Sequence, residues 1–239
     1  MQRNIFVTGA DRGLGLALCA GLLEGGWNVF AGQYMPDWHE LSSLKEQYPR
    51  TLHPIPLDVS SMESVRSAVY AVEALSDHLD VLINNAGVNS HSTHVSIRRP
   101  QDYPEMHRLY DVNSLGPLRM VEAFLPLMER GTLKRLCFIS SEAGSITRAE
   151  RTNWFSYCMS KAALNMAVKL LFNDLHPAEY TFRVYHPGWV RSYMSGKKEM
   201  NATFEPEEAA GFAIPILLGA REEEDRLVMV DHEGKEWPW

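Results

Sequence analysis

Apolar residues recur along this 239-residue chain in two alternating rhythms. Short runs rich in β-branched and aromatic side chains, at residues 4–8, 28–32, 52–57, 81–84, 135–140, 182–185 and 226–230, have the length and composition of buried strands. Between them, apolar residues return every three or four positions, as in Leu14-Leu18-Leu22, Val65-Val69-Val72 and Leu164-Val168-Leu171, the spacing of one helix face. Strands alternating with helices predict βαβ units, whose right-handed crossovers give a parallel sheet covered on both faces. The expected fold is α/β, one doubly wound domain over residues 1–239 with a seven-stranded parallel sheet, because no repeat or Pro/Ser-rich linker divides the chain. In such a sheet ligands bind outside the carboxyl ends of the strands, where strand order reverses. The residues just after each strand are therefore the informative ones.

Composition narrows the partners. With 23 Lys+Arg against 30 Asp+Glu the net charge is −7, which argues against nucleic acid as a ligand, since that needs a concentrated basic face. The longest charge-free apolar stretch, residues 209–220, is shorter than the ~18 residues of a membrane span and contains Pro215. Three cysteines, Cys19, Cys137 and Cys158, are an odd number set in apolar or helical patterns, and predict reduced thiols in the cytoplasm. Met1 runs almost directly into Ile5-Phe6-Val7, which predicts no targeting segment.

The first predicted strand ends in Thr8-Gly9-Ala10-Asp11-Arg12-Gly13-Leu14-Gly15 and enters a helical pattern at once. Glycines there permit a tight turn and close approach of a phosphate to the backbone, while the free amides and dipole of a helix N-terminus favour an anion. A purely structural turn would use the same glycines. Farther on, Tyr157 and Lys161 stand four residues apart and share a helix face, so that a lysine cation favours the phenolate and creates an acid/base. An exposed pair that merely supports the helix has the same spacing. Ser141, at the end of the fifth strand, can hydrogen-bond a carbonyl oxygen as charge develops on it, or cap a turn.

Taken together these segments resemble the short-chain dehydrogenase/reductase family. The residues that carry the resemblance are Thr8-Gly9 with Gly13 and Gly15, then Asn84-Asn85-Ala86-Gly87, Ile139-Ser140-Ser141, Tyr157 with Lys161, and His186-Pro187-Gly188. Residues 141–145, 160–165 and the tail at 231–239 are most similar to small carbonyl reductases and C-factor-like members. The resemblance implies Asn113, Ser141, Tyr157 and Lys161 as the catalytic set. Ser141 would steady the substrate oxygen and Tyr157 deliver the proton. Lys161 would lower the tyrosine pKa and hold the nicotinamide ribose, while Asn113 would bend its helix around a water that resupplies the proton. A solvent-facing helix asparagine is the alternative for Asn113. The polar stretch 147–153 lengthens the usual spacing from Ser141 to Tyr157.

The same resemblance implies a nicotinamide dinucleotide held by Gly9, Arg12, Gly13, Leu14 and Gly15 at the diphosphate. Asp58 and Val59 would contact adenine, Asn85, Ala86 and Gly87 the adenosine half, and Pro187, Gly188, Val190 and Ser192 the carboxamide. Asp58 is equally a helix N-cap candidate. At the end of the second strand stands neutral Gln33 where an acid would select NAD, and Arg12 offers a partner for a 2′-phosphate, which tilts the choice toward NADP. Pocket candidates are His91, His94, Trp154, Trp189, Tyr193 and Met194, with residues 192–203 as a lid. His91 and His94 lack a third ligand, so no metal is expected. The function implied is NAD(P)-dependent interconversion of a small-molecule carbonyl and alcohol by a homodimer or homotetramer. A dinucleotide-binding regulatory or signalling protein with little turnover is the alternative, since such a protein needs only the glycine turn.

Overall fold

Alternate side chains of the central strands enter two different cores. The computed structural model describes residues 2–90, 92 and 94–239. In β1 (Asn4–Val7), Ile5 and Val7 face one cluster and Phe6 the other. In β4 (Val81–Asn84), Val81 and Ile83 are divided from Leu82 in the same way, as are Cys137 and Ile139 from Leu136 and Phe138 in β5 (Arg135–Ile139). Because both faces are covered, these strands read as continuous apolar runs rather than as alternating ones.

The remaining strands are β2 (Asn28–Gln33), β3 (Leu52–Pro56), β6 (Thr181–His186), β7 (Met229–Asp231) and β8 (Glu236–Trp237). Their order in the sheet is β3-β2-β1-β4-β5-β6-β7-β8, and the first seven are parallel. One core receives α1 (Gly13–Glu24), α2 (His39–Gln47) and α7 (Pro206–Leu218); the other receives α3 (Met62–Glu73), α5 (Gly116–Glu129) and α6 (Phe155–Leu175). The remaining α-helix is α4 (Tyr103–Tyr110), which continues into a π-helical turn at Asp111–Leu115 and then α5. The chain steps outward from β1 to β3, then returns to place β4 on the other side of β1. This reversal opens a crevice at the carboxyl ends of β1 and β4.

The expected seven-stranded parallel sheet is thus corrected to eight strands, the last antiparallel to β7. The added strand is made by a turn. Asp231 Oδ1 accepts from the backbone of Glu233 and Lys235 at 2.9 and 3.0 Å, and Gly234 takes φ +77°. Trp237 Nε1 then donates to Asp231 Oδ2 at 2.8 Å, which holds the two-residue strand in register. The apolar 209–220 stretch forms most of α7, and among the described residues no helix is long and apolar enough to cross a membrane.

Candidate active site

Between β1 and α1 the backbone turns through Gly9 (φ +64°) and Gly13 (φ +56°), a region that L side chains rarely enter. A Cβ on Gly9 would lie 2.9 Å from Ala86 Cα, and one on Gly15 would lie 2.1 Å from the Gly9 carbonyl oxygen. The turn is therefore pressed against residues 85–87 after β4. Thr8 Oγ1 accepts from the amides of Asn85 and Ala86 at 3.0 and 2.9 Å, and Asn85 Nδ2 donates to the Thr8 and Gly9 carbonyls at 2.9 and 3.1 Å. At the N-terminus of α1, Arg12 supplies no side-chain cap and the first turn holds no acidic residue. Its free amides and dipole stand ready for an anion, in a cradle that any Cβ would fill. These features fit the diphosphate of a dinucleotide.

Farther along the crevice, Asp11 accepts from the Met35 amide at 2.7 Å and draws the chain after β2 inward. Burial is the main influence on Asp11 and raises its pKa, against the pull of its backbone hydrogen bonds and of Arg12. Tyr34 and Met35 consequently line the cleft, whereas Gln33 is turned aside with its amide on the Met35 carbonyl at 3.4 Å. The Arg12 guanidinium lies over the rings of Trp38 and Tyr193, 4.4 and 5.2 Å from their centroids. Asp58 lines the cleft as well, but Oδ1 is engaged by the amide and hydroxyl of Ser60 at 2.9 and 2.6 Å. It is not the cap of α3; Ser61 is, accepting from the Ser64 amide at 3.3 Å.

Ser141, Tyr157 and Lys161 meet at the centre of the cleft. Ser141 follows β5 and accepts from the Ala143 amide at 3.1 Å, which aims its own hydroxyl proton away from the turn. Tyr157 and Lys161 project from the first two turns of α6, both buried, with Lys161 Nζ 5.7 Å from the centre of the phenol ring. Burial drives the Tyr157 pKa well above the ordinary tyrosine value, and a hydrogen bond from Ser141 pulls it back in part. Burial likewise lowers Lys161 to about 8, while Nζ donates to the Ile139 carbonyl at 3.0 Å. Against the expected lowering of the tyrosine by the lysine, Lys161 is not among the influences that shift Tyr157, and burial keeps the phenol protonated at physiological pH.

Asn113 sits in the π-helical turn behind this group, 1% exposed. Its amide mimics a strand partner: Oδ1 accepts from the Val88 amide at 2.8 Å and Nδ2 donates to the Val88 carbonyl at 2.9 Å and to Ser160 Oγ at 3.0 Å. π turns of this kind recur at functional sites because the extra residue displaces the helical hydrogen-bond pattern. The solvent-facing alternative for Asn113 is excluded by its burial.

The cleft encloses about 800 Å³, within the usual range for small-molecule sites. Its walls include His94, Trp154, Trp189, Tyr193 and Met194; His91 lies outside the described residues. Trp154 takes a left-handed backbone (φ 67°) before α6 and stacks on Tyr157 at 4.7 Å with 14° between planes. Its Nε1 donates to Asn89 Oδ1 at 2.8 Å, so the indole covers the phenol in a fixed pose. The 192–203 segment reaches across the cleft, its Met194 carbonyl accepting from the Asn89 amide at 3.1 Å and its Tyr193 carbonyl from Arg12 at 3.4 Å. His186 also lines the cleft; burial lowers it to about 4, making it neutral at pH 7.

A sequence model described as short chain dehydrogenase matches residues 3–203. The chain belongs to the short-chain dehydrogenases. The C-signal protein of Myxococcus xanthus is 35% identical to this dehydrogenase over 170 residues, covering 71% of this chain and 98% of that one. An uncharacterized oxidoreductase of Schizosaccharomyces pombe is 34% identical over 231 residues, 95% of this chain and 89% of its own length. Among solved structures, an NADPH-bound carbonyl reductase from chicken fatty liver superimposes with TM-score 0.87 at 30% identity, covering 100% of this chain and 99% of that one. A short-chain dehydrogenase/reductase from Burkholderia multivorans with bound NADP gives TM-score 0.87 at 27% identity over the whole of both chains. This short-chain dehydrogenase is therefore an NAD(P)-dependent oxidoreductase of the carbonyl–alcohol type, using a nicotinamide dinucleotide as cofactor.

Within the dehydrogenase, the cleft brings together Gly9, Arg12, Gly13, Leu14, Gly15, Asp58, Val59, Asn85, Ala86, Gly87, Ser141, Tyr157, Lys161, Pro187, Gly188, Val190 and Ser192. Of the residues expected there, Gln33 and Asn113 do not line it. Sequence reasoning did not single out Arg108, Asn89, Glu142 or Arg151 as cleft residues. The last two form an ion pair at 2.6 Å, and the Arg151 guanidinium lies 5.3 Å from the Trp154 ring centre, backing the indole. Among the described residues no cluster of three or more metal-ligating side chains occurs.

Proposed function

We propose that this chain reduces small-molecule aldehydes or ketones with NADPH, Tyr157 delivering the proton. The observation that carries the reading is the convergence of Ser141, Tyr157 and Lys161 at one end of a cleft whose other end is an uncapped glycine cradle. The dinucleotide supplies the hydride. Ser141 donates its hydroxyl to the carbonyl oxygen as negative charge accumulates there. Tyr157, neutral at physiological pH, transfers its proton to that oxygen, and Lys161 and Ser141 stabilise the phenolate that remains. Gly9, Gly13, Leu14 and Gly15 take the diphosphate; Asp58, Val59 and residues 85–87 flank the adenosine. Pro187, Gly188, Val190 and Ser192 bound the nicotinamide end, while Asn113 acts from behind by fixing Val88 and the bend that a proton-relay water needs.

Preference for NADPH rests on Arg12. Two aromatic faces hold its guanidinium at the cleft, where it also donates to the Tyr193 carbonyl at 3.4 Å. A bidentate guanidinium suits a 2′-phosphate, and no acid stands at Gln33 to repel one. NADPH consumption over a panel of aldehydes and ketones tests the reaction, and separate titrations with NADPH and NADH test the cofactor. NADPH should bind more tightly, and Arg12→Ala should remove that advantage; tighter NADH binding lost on changing Gln33 would reverse the assignment.

Residues 1–239 are read as one catalytic unit acting in the cytoplasm. Assembly as a homodimer or homotetramer is supported by Met159, Met166 and Leu170, which leave an exposed apolar stripe along α6. Sedimentation should find a dimer or tetramer, and a monomer at micromolar concentration removes this part of the proposal. A signalling role with little turnover is favoured by the likeness to C-signal. It predicts dinucleotide binding with no Tyr157-dependent carbonyl reduction.

A further inference from the structure

Three α6 residues spaced by four, Tyr157, Lys161 and Asn165, lie on one buried face, and the catalytic proposal uses only the first two. Asn165 is 6% exposed and spends both ends of its amide on the turn that carries Ser141. Oδ1 accepts from Ser140 Oγ at 2.6 Å, one residue before Ser141, and Nδ2 donates to the Gly144 carbonyl at 3.2 Å, three residues after it. The turn is held flat against the helix at that point. A Cβ on Gly144 would lie 2.8 Å from the Lys161 carbonyl carbon and 2.9 Å from Asn165 Nδ2, so only glycine allows the approach. On its far side the same loop is tied elsewhere, Ser145 Oγ donating to the Pro238 carbonyl at 2.6 Å.

We infer that Asn165 is the positioning residue that sets Ser141 against Tyr157. It acts through the 140–144 turn and touches neither substrate nor cofactor, and the inference rests on the carbonyl-reductase reading above. The chemistry of the site selects an asparagine. One arm must accept a hydroxyl proton and the other must donate to a carbonyl, in a volume shielded from water where an unmet arm is costly. Aspartate has the shape but sets a second oxygen against the Gly144 carbonyl. Ser141 itself is locked within the turn by the Ala143 amide, so the location of its Oγ relative to the Tyr157 hydroxyl follows from where the turn sits on α6. A displacement of the turn misplaces the oxygen-stabilising donor, and misplacements of about 1 Å cost on the order of 10²-fold in rate.

A purely structural asparagine and a positioning one differ in how their loss combines with the loss of Ser141. The experiment measures kcat, KM and NADPH affinity for the full chain and for Asn165→Asp, Ser140→Ala, Ser141→Ala and the double variants with Ser141→Ala, on carbonyls that the unmutated protein reduces. Asn165→Asp and Ser140→Ala should each lower kcat by ~10- to 100-fold. NADPH affinity should stay within about twofold, because no cradle residue moves. Once Ser141 is alanine, adding either change should cost no more, since both act through that hydroxyl. Unchanged kcat in both single variants, or double-variant losses equal to the product of the single ones, overturns the inference and leaves the reductase reading standing. If Asn165→Asp does not fold, Ser140→Ala completes the same cycle. Absence of any Tyr157-dependent turnover in the unmutated chain overturns the reductase reading and this inference with it.

Discussion

Tyr157→Phe should lower kcat by ~10²- to 10⁴-fold, the range for loss of a positioned proton donor. The phenylalanine keeps the ring stacked under Trp154 and loses only the hydroxyl, so NADPH affinity and Tm should stay close to those of the unmutated protein. Ser141→Ala should cost less, ~10²- to 10³-fold, as for removal of one donor to a developing oxyanion. The control for both is the dinucleotide titration, because neither residue belongs to the glycine cradle. Should Tyr157→Phe retain more than a tenth of the unmutated kcat on every carbonyl tested, Tyr157 is not the proton donor.

Lys161→Met should move activity and stability in opposite directions. Lys161 is 3% exposed and its pKa is lowered from 10.5 to about 8, so at pH 7 the protein holds a buried cation that donates to the Ile139 carbonyl. Such a shift means that folding at pH 7 works against the desolvation of the ammonium group. The unfolded lysine keeps its proton to near 10.5 while the folded one releases it near 8. In that window the unfolded state binds more protons, so stability of the unmutated protein rises with pH. Replacement by methionine should therefore stabilise the cofactor-free protein by ~1–3 kcal/mol at pH 7, with the gain closing as pH rises from 8 toward 10.5. Turnover should fall by at least ~10²-fold, since the charge that stabilises the phenolate is gone. Denaturant unfolding at pH 7 and pH 10 checks the first part; a variant less stable than the unmutated chain at pH 7 refutes it.

Much of this architecture is legible in the chain before any coordinate is known. The first six strands are largely apolar runs of four to six residues, and the helices between them keep one apolar face, so element type and order follow from period alone. Residues just past the strands then carry the cleft, because the topology collects those ends at one rim. What escaped depends on side-chain bonds between distant segments. β8 has only Glu236 and Trp237, and it exists because Asp231 gathers the turn and the indole. Gln33 was the expected ribose neighbour, yet the bond from Met35 to Asp11 turns the next two residues toward the cleft instead. The spacing of Tyr157 and Lys161 announces their proximity but not their burial, and burial dominates both pKa values. Asn165 looks like an ordinary helix residue until the end of β5 is seen resting on it.

The two outer strands of the sheet bear on how the protein behaves while it folds. Just past β3 the Leu57 amide bonds inward to the Gln33 carbonyl at 2.7 Å, so by the alternation of a strand the amides of positions 53 and 55 also face β2. Positions 54 and 56 face outward, and both are proline. That rim presents no N–H group at either place where an incoming strand would seek one. The opposite rim is only the two residues of β8, with Glu236 paired to Arg226 across its outer end. An eight-stranded sheet so finished is a poor template for edge-to-edge growth, and concentrated refolding should yield discrete particles rather than fibrils.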